Sequence, residues 1–284
     1  MSFEYWYLFP VSIAVATLAM ASGIGGAVFF SPIFLLWLRL EPSVAVGVAL
    51  ITEFFGFSSG LVAYARAKLI DYRLGAQLLV FSIPGAIVGV LSADLFPGIV
   101  LKAIFAAGLV FIGLQLFLSW RQEQKHAMDA VIQAEAEGGF ASELTDRAGH
   151  TYRYTVCNKA LGRTFAVVGG AFLGMISVGL AELQEYHLVA RCKVPSPVAV
   201  ATSIFVVVIT VFVASVGHVY GFAKEGEGVL REAFNVAVFT VPGVLIGGQL
   251  GPRVQARVNP DKMKVLVSWI FMGVGGFMLS TLLS

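Results

Sequence analysis

The sequence ASGIGG at residues 21–26 interrupts the charge-free apolar run Leu8–Leu38. A single helix over these 31 residues would be about 46 Å long, whereas about 20 residues are enough to cross the hydrocarbon core. Three glycines in four positions disfavour a helix, and irregular backbone at membrane depth is tolerated only when it is buried in protein or lines a cavity. We therefore predict a broken helix or re-entrant hairpin whose tip lies near residues 23–26.

The rest of the chain has the composition of a membrane protein. Of its 284 residues, 58% are hydrophobic and 13% are charged, and the mean hydropathy is +0.85. These values exclude a soluble domain, a disordered chain, a nucleic-acid binder and a disulfide scaffold. We therefore predict an all-α polytopic membrane protein. Six further apolar runs have the length of a membrane span: Ser43–Ala65, Leu74–Ala93, Ile99–Trp120, Pro197–Val219, Val229–Leu250 and Lys264–Leu283.

A second irregular segment, Thr164–Cys192, indicates an internal repeat. It begins as an apolar run and continues into the polar sequence ELQEYH at 182–187. After each irregular segment, similar motifs follow in the same order: VAVG at 44–47 and VAVA at 198–201, then IPGAIVG at 83–89 and VPGVLIG at 241–247. The sequence therefore predicts two repeats, 1–120 and 164–284, joined by a linker at 121–163. Each repeat consists of a broken or re-entrant helix and three transmembrane helices.

The positions of the basic residues predict the topology. If both irregular segments enter and leave on one side, 15 of the 19 Lys and Arg residues lie on one face of the membrane and 4 on the other. The positive-inside rule makes the richer face cytoplasmic. Three full spans per half then give an inverted repeat, the architecture of many secondary transporters, with a cytoplasmic linker and both termini outside. Within the linker, 140–144 and 150–156 flank the turn sequence DRAG and predict a small β-hairpin.

The sequence contains no enzyme motif. It has no HExxH, GxSxG or P-loop pattern and no cluster of cysteine or histidine, so we expect no catalytic residue, metal ligand or cofactor. Cys157 and Cys192 lie in polar segments without metal-ligand spacing. We expect them to be reduced thiols, with a disulfide or a ligand role as the lesser alternative.

The broken helices are candidate anion sites. A helix that is interrupted inside a protein presents free N–H groups and a positive dipole end, which suit an anion without a buried Lys or Arg. At the first tip, the expected donors are the Ser22 hydroxyl and the amides of Gly23, Gly25 and Gly26. The alternative is that these glycines only allow close helix packing.

Three side chains of the second half are further candidate donors. Thr202 and Ser203 offer two hydroxyl groups early in the sixth element, and Gln184 lies at the second tip. The alternative for the hydroxyls is a bond to a carbonyl one turn back. Their first-half counterparts, Val48 and Ala49, cannot donate, so we expect an asymmetric site.

Three carboxyl groups are candidates for proton coupling. Glu53 is the one ionisable residue deep in an otherwise apolar span, where a carboxylate must face the protein interior. Glu182 and Glu185 share a face if the second tip continues as a helix, and a close pair would share a proton. The alternatives are a structural hydrogen bond from protonated Glu53, and a solvated salt-bridge cluster that joins the second pair to Arg191 and Lys193.

Several motifs occur in an order that is typical of a known family. They are ASGIGG before Pro32, Tyr64 with the loop LIDYR at 69–73, the repeated IPG and VPG, and ATS at 201–203. Together they resemble the sulfite exporter TauE/SafE family of bacterial membrane proteins. The resemblance implies export of sulfite, an organosulfonate such as sulfoacetate, or a related sulfur-containing anion across the inner membrane. Two stretches depart from the family pattern, GLAELQ at 179–184 and GVAL at 47–50.

We therefore expect a secondary transporter that exports a small sulfur-containing anion, with proton coupling as a hypothesis. Its expected partners are that anion and the lipid bilayer, with no nucleic acid, and a homodimer is one option for its assembly. Two alternatives stay open: a passive anion channel, and a membrane sensor or assembly protein that acts through the linker.

Overall fold

The computed structural model describes residues 3–22, 25–93, 95–136, 142–255 and 260–283, and these form ten α-helices and one β-hairpin. A 3-10 turn, Phe3–Tyr5, precedes the first helix. π-helical turns extend the second helix over Ile33–Trp37 and the seventh over Tyr186–Arg191. The helices are α1 (Leu8–Ser22), α2 (Ala27–Pro32), α3 (Pro42–Ala67), α4 (Tyr72–Ala93), α5 (Gly98–Ala136), α6 (Lys159–Ile176), α7 (Leu180–Glu185), α8 (Ser196–Glu225), α9 (Glu227–Gln255) and α10 (Pro260–Leu283).

Seven of the described helices are long and apolar enough to cross a membrane: α3 to α6 and α8 to α10. Helices α3 and α8 are buried along most of their length, so they form the centre of the bundle. The outer helices expose large apolar side chains such as Val80, Leu91 and Phe111, as expected for surfaces that face lipid. The prediction of an all-α polytopic membrane protein is confirmed.

The first apolar run reverses direction between α1 and α2. The ring of Tyr7, before α1, stacks on the ring of Trp37, at the end of the π-helical turn, with centroids 5.3 Å apart. The two ends of the run therefore lie on the same side of the molecule. With 15 residues, α1 is about 22 Å long and shorter than the hydrocarbon core. The segment is a re-entrant hairpin, as its glycine-rich centre predicts.

The second irregular segment reverses direction in the same way. Helix α6 ends at Ile176, and the left-handed backbone of Ser177 (φ 58°) and Gly179 (φ 115°) turns the chain into α7. We call α7 and its π-helical turn, which run back from the second tip to Arg191, the returning arm. Away from the tip, the rings of Phe165 and His187 are 5.9 Å apart, so α6 and the returning arm lie side by side. Helix α6 already begins at Lys159, inside the segment that the sequence assigns to the linker.

The two repeats hold each other through matched glycine contacts. A Cβ on Gly85 of α4 would lie 2.3 Å from the Val167 carbonyl oxygen of α6, and a Cβ on Gly243 of α9 would lie 2.5 Å from the Phe9 carbonyl oxygen of α1. Both residues of the first contact are 158 positions from their counterparts in the second. Each re-entrant arm therefore packs against a helix of the opposite repeat.

Two buried hydroxyl pairs follow the same symmetry. The hydroxyl oxygens of Thr52 (α3) and Thr240 (α9) are 2.9 Å apart, and so are those of Ser82 (α4) and Thr210 (α8). The offset of 158 residues relates Thr52 to Thr210 and Ser82 to Thr240. The predicted internal repeat is thus visible in hydrogen bonds as well as in helix packing.

Corresponding helices of the two repeats run in opposite directions. Gly47, near the start of α3, contacts Phe222, near the end of α8, so these two helices are antiparallel. Gly113 of α5 lies against Ser268 of α10, whereas Gly275, further along α10, lies against Ala106, which is earlier on α5, so these helices are antiparallel as well. The repeats are therefore inverted relative to one another, as the distribution of basic residues predicts.

The linker contains the predicted hairpin. Helix α5 continues to Ala136, beyond the end of the apolar run at Trp120. Strands β1 (Ser142–Thr145) and β2 (Thr151–Tyr154) then pair antiparallel. The hairpin is the only sheet among the described residues.

The expectation of reduced cysteines is wrong for this structure. Cys157, just after β2, forms a disulfide with Cys192, which follows the returning arm of the second hairpin. The two residues are 35 positions apart in sequence. They meet because the chain reverses at the second tip and brings the arm back beside the end of the linker, a contact that cysteine spacing does not reveal.

Candidate functional site

The two re-entrant hairpins meet around Gly25. A Cβ added to Gly25 would lie 3.0 Å from Glu53 Oε1 and 3.4 Å from Glu182 Oε1. Gly25 belongs to the first tip, Glu182 to the second, and Glu53 to the middle of α3. We call the residues at this meeting point the tip cluster: Gly25, Gly26, Glu53, Gly179 and Glu182.

A hydroxyl pair provides a second contact between the two tips. Ser31 on α2 and Ser177 at the end of α6 are both fully buried, and their Oγ atoms are 2.5 Å apart. Ser177 also donates to the carbonyl of Ile176. Ser31 therefore donates to Ser177, and this hydrogen bond fixes the second tip against the first arm.

Glu53 is buried at the start of α2. Its side chain is 2% exposed, and no described residue forms a well-aligned hydrogen bond with either carboxyl oxygen. The carboxyl group lies close to the amides of Gly26 and Ala27 and interacts electrostatically with Glu182. A helix start favours negative charge. A carboxyl group of the chain itself thus lies where the sequence predicts an anion.

Glu182 caps the second tip. The amide of Gly179 donates to Glu182 Oε2 over 3.0 Å, and the positive φ of Gly179 is a conformation that glycine adopts without strain. The other oxygen, Oε1, lies beside Gly25, whose amide is close enough to interact with the carboxyl group. Because Glu182 is only 2% exposed, the alternative of a solvated salt-bridge cluster does not describe it.

Two further polar side chains of α7 are buried beside Glu182. Glu185 interacts electrostatically with Glu182, in keeping with the predicted shared helix face. Gln184 is 2% exposed, and neither its amide oxygen nor its amide nitrogen has a partner among the residues described. A buried amide without a partner costs free energy, and the role of Gln184 as an anion donor remains a prediction.

Thr202 and Ser203 have different environments on α8. The Thr202 hydroxyl oxygen accepts a hydrogen bond of 3.0 Å from the amide of Asp71, in the loop between α3 and α4. The Ser203 hydroxyl is buried and has no partner in the described ranges. Both lie on a helix that packs against α7. Their role as anion donors remains a prediction.

The first tip is described only in part. Gly25 and Gly26 are buried next to Glu53. Gly23 and the side chain of Ser22 lie outside the described residues.

A cavity of about 600 Å³ lies between α5 and α6 and reaches Gly179 and Leu183 at the second tip. Its walls are mostly aliphatic and aromatic side chains, including Ile104, Phe111 and Val168. Such walls suit a lipid chain, and the one hydroxyl group among the lining residues, that of Thr164, already donates to the Ala160 carbonyl. The polar candidates are therefore those of the tip cluster and its neighbours.

Inverted repeats with re-entrant tips that meet at buried polar residues are a known transporter architecture, and the chain matches one family over most of its length. The model of the family described as "Sulfite exporter TauE/SafE" covers residues 8–278. The chain belongs to the sulfite exporter TauE/SafE family. As a TauE/SafE protein it acts in membrane transport, which is compatible with the expectation that it is not an enzyme.

Three curated proteins, each named a probable membrane transporter protein, are similar to this TauE/SafE chain. YunE of Bacillus subtilis is 24% identical over 275 residues, with 94% of each chain covered. YjnA of the same bacterium is 27% identical over 255 residues, covering 87% of this chain and 90% of its own. MJ0441 of Methanocaldococcus jannaschii is 23% identical over 300 residues, with 98% of each covered. No solved structure matches the chain.

Sequence reasoning missed Asp71 and Tyr154, which join the linker to both repeats. The Tyr154 hydroxyl donates to Asp71 Oδ2 over 2.7 Å, and Asp71 Oδ1 accepts from the amide of Leu74 at the start of α4. Burial raises the pKa of Tyr154 and the contact with Asp71 raises it further, so the phenol remains a donor. The available signal was LIDYR at 69–73, which stood out as a motif without an assigned role.

Proposed function

We propose that this TauE/SafE chain exports a small sulfur-containing anion, either sulfite or an organosulfonate such as sulfoacetate, across the inner membrane. Protons are coupled to this export through Glu53 and Glu182. Family membership and the three similar proteins support transport, and the tip cluster supports the choice of an anion and of protons. In this proposal the linker is cytoplasmic and both termini are outside.

One observation carries the proposal. The buried carboxyl groups of Glu53 and Glu182 lie on either side of Gly25, where the two re-entrant hairpins meet, and the tip cluster contains no basic residue. Two like charges 4 Å apart repel by about 4 kcal/mol near a protein surface and by more in a drier interior. An anion and two ionised carboxylates therefore exclude one another from this place. The anion binds when protons neutralise Glu53 and Glu182, which couples the two ligands.

The donors in this proposal are all uncharged. The Ser22 hydroxyl and the amides of Gly23, Gly25 and Gly26 bind the anion from the first tip, while Gln184, Thr202 and Ser203 bind it from the second half. Glu185, which interacts with Glu182, is a third proton carrier. Neutral donors hold an anion firmly enough to recognise it and weakly enough to release it.

The membrane potential acts on the net charge that crosses with each anion. An inside-negative potential drives a negative charge out of the cell with about 2.3 kcal/mol per charge per 100 mV. A dianion that crosses with two protons carries no net charge, so its own concentration gradient and the pH gradient set the direction of transport. An anion that crosses with fewer protons than its own charge is also driven outward by the potential.

The test is flux from proteoliposomes loaded with sulfite or sulfoacetate under an imposed pH gradient. We expect wild-type flux to depend on the gradient. Glu53→Gln and Glu182→Gln should remove that dependence because the side chain of glutamine, unlike that of glutamate, does not bind and release a proton. Glu41→Gln is the matched control, since Glu41 is an exposed carboxylate at the start of α3.

Flux in Glu53→Gln that still follows the pH gradient would contradict the coupling role. Unitary currents in a planar bilayer, many orders faster than exchange, would identify the chain as a passive channel instead. Transport that survives deletion of 124–155 would exclude the sensor or assembly role of the linker.

A further inference from the structure

The linker hairpin is fastened to the transport bundle by hydrogen bonds. The amide of Arg147, in the turn between β1 and β2, donates to the Ala67 carbonyl at the end of α3 over 2.9 Å. Tyr154, at the end of β2, is 3% exposed and donates to Asp71. The hairpin therefore lies against the loop between α3 and α4.

Asp71 connects three parts of the chain at this loop. Its carboxylate accepts from Tyr154 of the linker and caps α4 in the first repeat, and its amide donates to Thr202 of α8 in the second repeat. Any movement of one repeat against the other at this end of the bundle must stretch or break these bonds.

The disulfide is a covalent fastening next to these hydrogen bonds. Cys157 follows Tyr154 by three residues, and its partner Cys192 ends the arm that leads back from Glu182. The Cα atoms are 5.1 Å apart, so the bond permits almost no separation of the linker from this arm. His187, on the same arm, lies with Nε2 3.7 Å from the Cys192 sulfur.

The compartment makes this bond conditional. In the proposed orientation the linker faces the cytoplasm, where thiol couples keep cysteines reduced and disulfides are transient and regulatory. The chain has two cysteines, and both are in this bond. In this orientation, the fraction of the protein that carries the disulfide therefore depends on the redox state of the cytoplasmic thiols.

We infer that Cys157 and Cys192 form a reversible latch that, when oxidised, locks the linker to the arm bearing Glu182 and slows the proposed transport. In the closing step, a low-molecular-weight disulfide oxidises the two cysteine thiols. One S–S bond forms in the protein, the S–S bond of the oxidant breaks, and two oxidant thiols take up the two protons. Opening is the reverse reaction with a reducing thiol. The effect on flux rests on the proposed transport, and the redox setting rests on the proposed cytoplasmic position of the linker, whereas the bond between the two cysteines rests on neither.

The first test follows the latch without transport. Full-length protein in inverted membrane vesicles is equilibrated with mixtures of reduced and oxidised glutathione, and free thiols are trapped with a maleimide polymer that shifts the gel band. We expect both cysteines to convert together and reversibly. Reduction should also speed hydrogen exchange in residues 142–157 and 186–194. Cysteines that remain disulfide-bonded in excess reduced glutathione would overturn the latch. Hydrogen exchange that is equal in the oxidised and reduced states would overturn it as well.

The second test measures its effect on flux. Proteoliposomes carry labelled sulfoacetate, since sulfite itself cleaves disulfides. We expect oxidised glutathione to slow wild-type flux by about tenfold, within the range of energetic coupling between linked sites. The cysteine-free variant Cys157→Ser/Cys192→Ser should be fast in both conditions. Equal wild-type flux in the two states overturns the inference, whereas flux that is absent in both states, together with reversible thiol trapping, counts against the proposed function and leaves the latch standing.

Discussion

At the scale of single residues, Gly25 sets the spacing of the tip cluster. Glu53 and Glu182 approach it from different helices, and the space for a side chain is already taken by their Oε1 atoms. Neither glutamate has a counterpart in the other repeat, because offsets of 158 and 154 place Val211 and Val28 at those positions. The centre of the molecule is therefore asymmetric although the scaffold around it is symmetric.

We predict that Gly25→Ala lowers anion flux by about tenfold or more, because the added methyl displaces a carboxyl group by some tenths of an ångström and misplacement in a site is costly. Stability should change little, since a flexible side chain can yield. Gly221→Ala on α8 is the control, as a Cβ there meets nothing within 4 Å. Equal flux in the two variants would show that Gly25 has no role in spacing.

Sequence alone could identify these residues but not their meeting. The apolar span around Glu53 and the glycines at 23–26 mark both as unusual for a membrane segment. That Glu53 lies beside Glu182, or that Asp71 bonds Thr202 across 131 residues, depends on how the repeats cross. No local pattern encodes such contacts, and the same is true of the bond between Cys157 and Cys192.

At the scale of elements, the glycines of α4 and α9 allow the re-entrant arms to pack backbone to backbone. Gly85 and Gly89 contact carbonyl oxygens of α6, and Gly243 and Gly247 contact those of α1. Small residues at such positions are the usual means of close helix approach in membranes. Close helix packing, which was the alternative role for the glycines of the first tip, is thus the role of these four glycines of α4 and α9.

We predict that Gly85→Ala and Gly243→Ala each lower the free energy of unfolding by about 1–3 kcal/mol, the usual cost of overpacking. The added methyl would meet a backbone carbonyl at 2.3 Å or 2.5 Å, which cannot move without shifting an arm. Detergent-solubilised protein titrated with SDS gives the measurement. Gly276→Ala, where a Cβ meets nothing within 4 Å, should be neutral. A large effect at one of the two glycines alone would contradict their equivalence.

The elements themselves were largely predictable from the sequence. The run Leu74–Ala93 corresponds to α4 (Tyr72–Ala93) and Lys264–Leu283 to α10 (Pro260–Leu283), because apolar length determines a span. The start of α6 was not predictable in this way. Lys159 and Arg163 are charged and were assigned to the linker, whereas Asn158 caps the helix at that point. Hydropathy locates the membrane part of a helix and misses polar turns that extend it.

At the scale of the whole molecule, the topology is open to direct measurement. In the cysteine-free background, we predict that Trp6→Cys and Trp37→Cys react with a membrane-impermeant maleimide from outside intact cells, because both flank the first re-entrant hairpin and are exposed. Lys68→Cys, exposed at the far end of α3, should react only in inverted vesicles. Labelling of Trp37→Cys and Lys68→Cys from the same side would refute the inverted arrangement.

The exchange of arms between repeats also bears on biosynthesis. Helix α1 leaves the ribosome first, yet its packing partner α9 begins only at Glu227. At about 5–20 residues per second, α1 waits roughly ten to fifty seconds in the membrane before that partner is synthesised. During this time α1 lacks the helix against which it packs, so the nascent chain depends on the insertion machinery or on lipid until the final fifth of translation.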